Sequence, residues 1–271
     1  VADQTQAEVT QQGDNTGDQT ASTVIGDQTQ LQETVVGDNA GDQSAVTSIG
    51  DQTQTQTTVH GDNTGDQTAR TEIGDVSQVT DTHTGENTGT QQAETVLGDT
   101  SQTSPSGEAN TTTQTADTVI GDAAQVASGG DGSVITQDAE TGLGDVVQAA
   151  AAGEASVVDQ RADAGGTVIQ EATVDSGVIE QQGGNQQTAA SGGGPVVVNQ
   201  TGDRHGEAVQ QARGSDAGDV ISQQAGQGTL SLFDDNSTAS VDLGGGNDVY
   251  TYQGNSEMNH VRVEGGGAQT G

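Results

Sequence analysis

The chain is 271 residues long and carries a formal charge of −35, with 42 Gly, two Pro, no Cys and no Trp. Hydrophobic residues make up 28% and aromatic residues 1%, and Leu, Ile, Val and Phe together are about a sixth, low for a folded chain of such charge. This balance excludes an ordinary globular enzyme with a large apolar core. The lack of any run of ~18 apolar residues excludes a helical membrane span, and an acidic surface repels nucleic acid. What remains is a disordered acidic chain or a repeat protein that folds without the usual core.

The repeat decides between them. Residues 13–36 read GDNTGDQTASTVIGDQTQLQETVV, and residues 37–60 and 61–84 repeat this phrase with few changes. The first twelve residues match its second half alone, so the chain enters in mid-repeat. Within each unit Gln, Ala, Thr and Ile or Leu alternate with variable residues. The Gln column is Gln19, Gln43, Gln67, Gln91, Gln114 and Gln137. Ala21, Ala45 and Ala69 follow it by two, then Thr23, Thr47 and Thr71, then Ile25, Ile49 and Ile73, with Leu97, Ile120 and Leu143 continuing the last column. Gly-Asp comes next, and three residues beyond its Asp stand Gln30, Gln54, Gln78, Gln102, Gln125 and Gln148.

Period-2 alternation places the fixed residues on one face of a strand, and that face is expected to be the buried one. The Thr content and Gly density speak against helix. Two strands per ~24 residues with Gly-rich turns predict an all-β fold: a β-solenoid of stacked two-strand rungs about 4.8 Å apart. Gln amides and Thr hydroxyls then hydrogen-bond along ladders, while Ala and Ile/Leu form dry columns. Residues 1–150 read as regular rungs and 151–228 as degenerate ones, for about 11 rungs in all at the 4.8 Å rise. Residues 229–271 hold Phe233, Tyr250 and Tyr252 and alternate as ordinary strands, which suggests a non-repeat β cap or docking element.

The phrase G-D-Q-x-A-x-T-x-I-G-D-x-x-Q resembles the curlin repeat of curli amyloid fibres, with Gln19, Ala21, Gly26 and Gln30 in comparable places. The likeness covers residues 1–150 well and the rest weakly. Gln stands where curlin usually has Asn, the turns are far more acidic, and the last segment has no counterpart. The resemblance implies a self-assembling extracellular matrix fibre of a bacterium, exported unfolded. Val1-Ala2-Asp3 suits a processed N-terminus.

The acidic columns are the informative chemistry. Asp27, Asp51, Asp75, Asp99, Asp122 and Asp145 would stack on one edge. Asp14, Asp38 and Asp62, continued by Glu86, Glu108 and Glu154, would stack on another. Two carboxylates 4.8 Å apart in water repel by about 0.9 kcal/mol. Either each Asp bonds its own turn, or cations such as Ca²⁺ bridge successive rungs, in which case fibres form faster with Ca²⁺ or in acid. Residues 244–250, GGGNDVY, resemble one copy of the RTX calcium nonapeptide with Asp248 as a ligand, and a plain Gly-rich turn is the better account of them. His60, His83, His205 and His260 have no metal spacing, and no catalytic motif is present, so an enzyme is not expected. The leading expectation is a homopolymer joined head to tail, in contact with extracellular polysaccharide or a cell surface. The alternative is a secreted monomeric solenoid that binds ice or adheres through Ca²⁺.

Overall fold

The structure is a computed structural model. It describes residues 2–183, 185–202, 207–213, 219–224, 227–233, 237–242, 249–253 and 260–264. The chain lays down strands alternately in two sheets. β1 (Gln4–Thr10), β3 (Gln28–Val36), β5 (Gln52–His60), β7 (Val76–Thr84), β9 (Thr100–Pro105) and β11 (Ala123–Ser128) begin the first sheet; β2 (Gln19–Ile25), β4 (Gln43–Ile49), β6 (Gln67–Ile73), β8 (Thr90–Leu97), β10 (Thr111–Ile120) and β12 (Val134–Leu143) begin the second. Odd strands pair only with odd and even with even, giving two parallel twelve-stranded sheets. Each strand is followed by a crossing to the other sheet, so successive turns of the chain stack as a β-solenoid, the predicted fold.

Identical residues lie in register: Gln19 on Gln43, Ala21 on Ala45 and Thr23 on Thr47, and Gln28, Gln30 and Gln32 on Gln52, Gln54 and Gln56. One crossing is a Gly-Asp corner. Gly50 sits there at φ +143°, and a Cβ on it would collide with the Gly26 carbonyl of the rung beneath. Both the left-handed backbone and the close approach require glycine. The other crossing is an arch built on G-D-N-x-G-D. Asn15, Asn39, Asn63, Asn87 and Asn110 bridge rung to rung there. The Oδ1 of Asn63 accepts the Gly65 N–H at 3.2 Å, an Asx turn that fixes the bend.

Rungs shorten after residue 150. The Gln ladders step by 24 residues at first, then by 21 from Gln160 to Gln181, 19 from Gln181 to Gln200, and 17 from Gln170 to Gln187. Shorter rungs explain why each sheet has twelve strands where an even 24-residue period gives about eleven. The strands β21 (Gln227–Phe233), β22 (Ser237–Asp242), β23 (Val249–Gln253) and β24 (His260–Glu264) extend the same two sheets in the same alternation.

The core changes character along the stack. In early rungs it is polar: Gln28, Gln30, Gln32 and Thr34 are all buried on β3. Later an apolar column appears, with Ile135, Val158, Ile179, Val198 and Ile221 in register and fully buried in one cluster.

One expectation fails. The Ile/Leu column (Ile25, Ile49, Ile73, Leu97, Ile120, Leu143) is stacked in register but is not a core column; its members are 41–64% exposed. Alternation ends at the preceding Thr, since Val24 and Ile25 are both exposed. The Gly-Asp step passes between the sheets at this point, so no interior remains for the side chain to enter.

Candidate functional site

The repeated side chains form three kinds of axial ladder. The first is glutamine. Gln54 Nε2 donates to Gln30 Oε1 of the preceding rung at 2.8 Å and to the Thr68 carbonyl of the opposite sheet at 3.0 Å. Both its N–H groups are thus used, and its Oε1 accepts from Gln78 at 2.8 Å. A buried amide needs such partners to offset lost hydration. One ladder runs Gln6, Gln30, Gln54, Gln78, Gln102, Gln125, Gln148, Gln170, Gln187 and Gln210. The other runs Gln19, Gln43, Gln67, Gln91, Gln114, Gln137, Gln160, Gln181, Gln200 and Gln223. Every ladder bond has the same sense, from Nε2 of one rung to Oε1 of the rung before. The register places Leu230 next to Gln210 and Val241 next to Gln223, so neither ladder passes into β21 or β22.

The second ladder is threonine, and it differs from expectation. Thr47 and Thr71 are buried and Thr23 is half-buried. The hydroxyls do not chain to one another. Thr71 Oγ1 donates to the Gly50 carbonyl at 3.3 Å and Thr95 Oγ1 to Gly74 at 3.1 Å. At these two rungs the column instead ties the strand to the corner of the rung beneath, while Thr118 meets Thr100 across the interior at 3.4 Å.

The third ladder is aspartate. Asp51 N–H donates to Asp27 Oδ1 at 3.1 Å, and the pattern continues through Asp75, Asp99, Asp122 and Asp145 to the N–H of Thr167 at 2.7 Å. The carboxylates therefore bond the next rung, not their own turn. A charge-assisted bond at each step offsets the repulsion between neighbours. A parallel ladder joins Asp14, Asp38 and Asp62 and ends at the Glu86 N–H. Asn87 pairs with Asn110 and donates its N–H to Ala109, which sets Glu86 against Ala109 and not against Glu108. The expected run Asp62–Glu86–Glu108–Glu154 is thus broken by a one-residue register change. Glu154 belongs instead with Asp131, whose Oδ1 accepts its N–H at 2.9 Å. A further ladder, Asp18–Asp42–Asp66–Thr90, was not anticipated; its signal is the second Gly-Asp of each G-D-N-x-G-D arch.

Among the described residues no three His, Asp or Glu side chains come together as a metal site. Asp248 lies outside the described residues. Of the few cations, Arg70 meets the exposed Glu94 at 3.1 Å and Arg161 meets the half-buried Asp159 at 3.2 Å. What the arrangement can do is cohesive: each rung presents donors on one face and acceptors on the other. No protein-family model matches the chain, and no similar curated protein or solved structure is found.

Proposed function

We propose that the chain is a self-assembling subunit of an extracellular structural fibre, serving as biofilm matrix or adhesive scaffold, that polymerises head to tail by β-strand stacking. The observation that supports this most is the pair of open parallel sheets, whose described edges are β1 and β2 on one side and β23 and β24 on the other. A second copy can pair its own strands with such an edge in register, and the glutamine ladders then strengthen the stack within each subunit, since they stop at Gln210 and Gln223. Contact between unlike faces gives an open filament. The likeness of residues 1–150 to the curlin repeat points in the same direction, toward a bacterial fibre whose contacts are with itself, extracellular polysaccharide or a cell surface.

The test is negative-stain imaging and fibre diffraction of the purified full chain. Unbranched filaments with a meridional reflection near 4.8 Å are expected; a preparation that stays monodisperse across concentration and ionic strength would refute the proposal. The alternative of an ice-binding or Ca²⁺-dependent monomeric solenoid has less support. The Thr47 and Thr71 column faces inward, and the Asp Oδ1 atoms are already engaged by backbone amides. Filament formation unaffected by a chelator is the expected result.

A further inference from the structure

We propose that the exposed Ile/Leu corner is a docking ridge for a second copy of this chain, which pairs side by side through the same ridge. Ile25, Ile49, Ile73, Leu97, Ile120 and Leu143 stand one above another in unbroken register, and each is at least 41% exposed. Val24, Val96 and Val119 widen the ridge on three rungs, with Ser48, Glu72 and Gly142 at the same position on the others. Other outward positions on the same strands show what mere tolerance looks like: the column Ser22, Val46, Arg70, Glu94, Asp117, Glu140 has no common chemistry. The corner column admits only Ile and Leu.

Two arguments select a second copy as the occupant. The first is area. The half-exposed aliphatic side chains offer on the order of 700 Å² per copy, close to the ~800 Å² per partner of a stable interface. The second is period. The ridge repeats once per rung, about every 4.8 Å, and an identical ridge shifted by half a rung interdigitates with it as stacked side chains do in a dry zipper. The opposing term is charge. The Asp27–Asp145 ladder begins two residues beyond the ridge and flanks it on both copies, so pairing is expected to strengthen as salt shortens the screening length. Side-by-side pairing doubles the cross-section of the particle, whereas end-to-end growth lengthens it, so the two associations are read separately.

The test uses the full chain at about 20 mM and about 500 mM NaCl, where the screening length falls several-fold. Scattering is expected to show the cross-section doubling at the higher salt, and the triple variant Ile49→Ser, Ile73→Ser, Leu97→Ser to remain single under the same conditions. Because the chain contains no Cys, one introduced thiol gives a clean second readout that does not depend on the triple variant folding. Ile73→Cys should cross-link between copies at high salt. Val126→Cys, exposed on the other sheet, should not. A single cross-section at 500 mM NaCl would overturn the proposal, as would equal cross-linking at both thiols. So would adsorption of a single rod to neutral phosphatidylcholine vesicles lost on the triple substitution, which assigns the ridge to a lipid surface.

Discussion

Gln102 offers the sharpest test of the cohesive mechanism. Its Nε2 donates to Gln78 Oε1 and to the Thr115 carbonyl, both at 2.9 Å, and its Oε1 accepts from Gln125 at 2.9 Å. Gln102→Leu removes all three bonds while roughly keeping the volume. It strands a carbonyl, an amide oxygen and an N–H in the interior. At ~1–3 kcal/mol per stranded group the cost is roughly 3–9 kcal/mol, offset by about 1.5–3 kcal/mol of leucine burial. The central values of the two ranges leave a net loss of about 4 kcal/mol. A stacked array does not unfold as one unit, so the assay is hydrogen exchange read rung by rung. The amides of β7, β9 and β11 are expected to exchange at least about thirtyfold faster, the equivalent of ~2 kcal/mol. Those of β3 and β4 should change little, because coupling is between neighbours. The same change at Gln6, which is only half-buried, should cost less than about 1 kcal/mol, the typical net worth of one hydrogen bond. Unchanged exchange around Gln102, or an equal effect at both positions, would refute the view that the ladders hold the rungs together.

Other expectations follow from the corners and the later core. Asp75→Asn keeps an acceptor for the Asp99 N–H and removes one charge from a repelling column, so the melting temperature should hold or rise; Asp75→Ala loses the bond and should cost about 1.5–3 kcal/mol. Gly50→Ala forces a side chain into left-handed backbone and against the Gly26 carbonyl, and circular dichroism melting should show a loss of about 2 kcal/mol or more. Ile179→Ala opens a cavity in the apolar column and should cost roughly 2–5 kcal/mol in urea unfolding. Arg70→Ala removes an exposed ion pair with Glu94 and should change stability by less than about 1 kcal/mol.

The solenoid and its two glutamine ladders were readable because Gln recurs in phase with Gly-Asp for six units. Four things were not. The corner isoleucines keep the period-2 spacing of the core residues, and sequence does not mark where a strand stops and its alternation lapses. The inward Gln28 and Gln32 columns persist for only two or three rungs before Val76 and Thr80 replace them, so they look like ordinary variation. The target of each Asp is a matter of stacking: its own turn and the following rung offer the same N–H type, and only the three-dimensional register separates them. Beyond residue 150 the ladder residues Gln160, Gln181 and Gln200 remain, preceded by Val158, Ile179 and Val198 two positions earlier. The shrinking arches move them out of a fixed period and so conceal them.

The uniform sense of the glutamine bonds has an electrical consequence. In parallel strands the backbone hydrogen bonds point up and down in turn, and their moments largely cancel. The side-chain amides never reverse, so their dipoles add along both columns, much as peptide units add along a helix. The stack is therefore a polarised rod, with partial positive charge gathered toward β1 and partial negative charge toward the last ladder rung. That built-in field favours a second rod added end to end in the same direction, and for two rods lying side by side it favours the one inverted end for end.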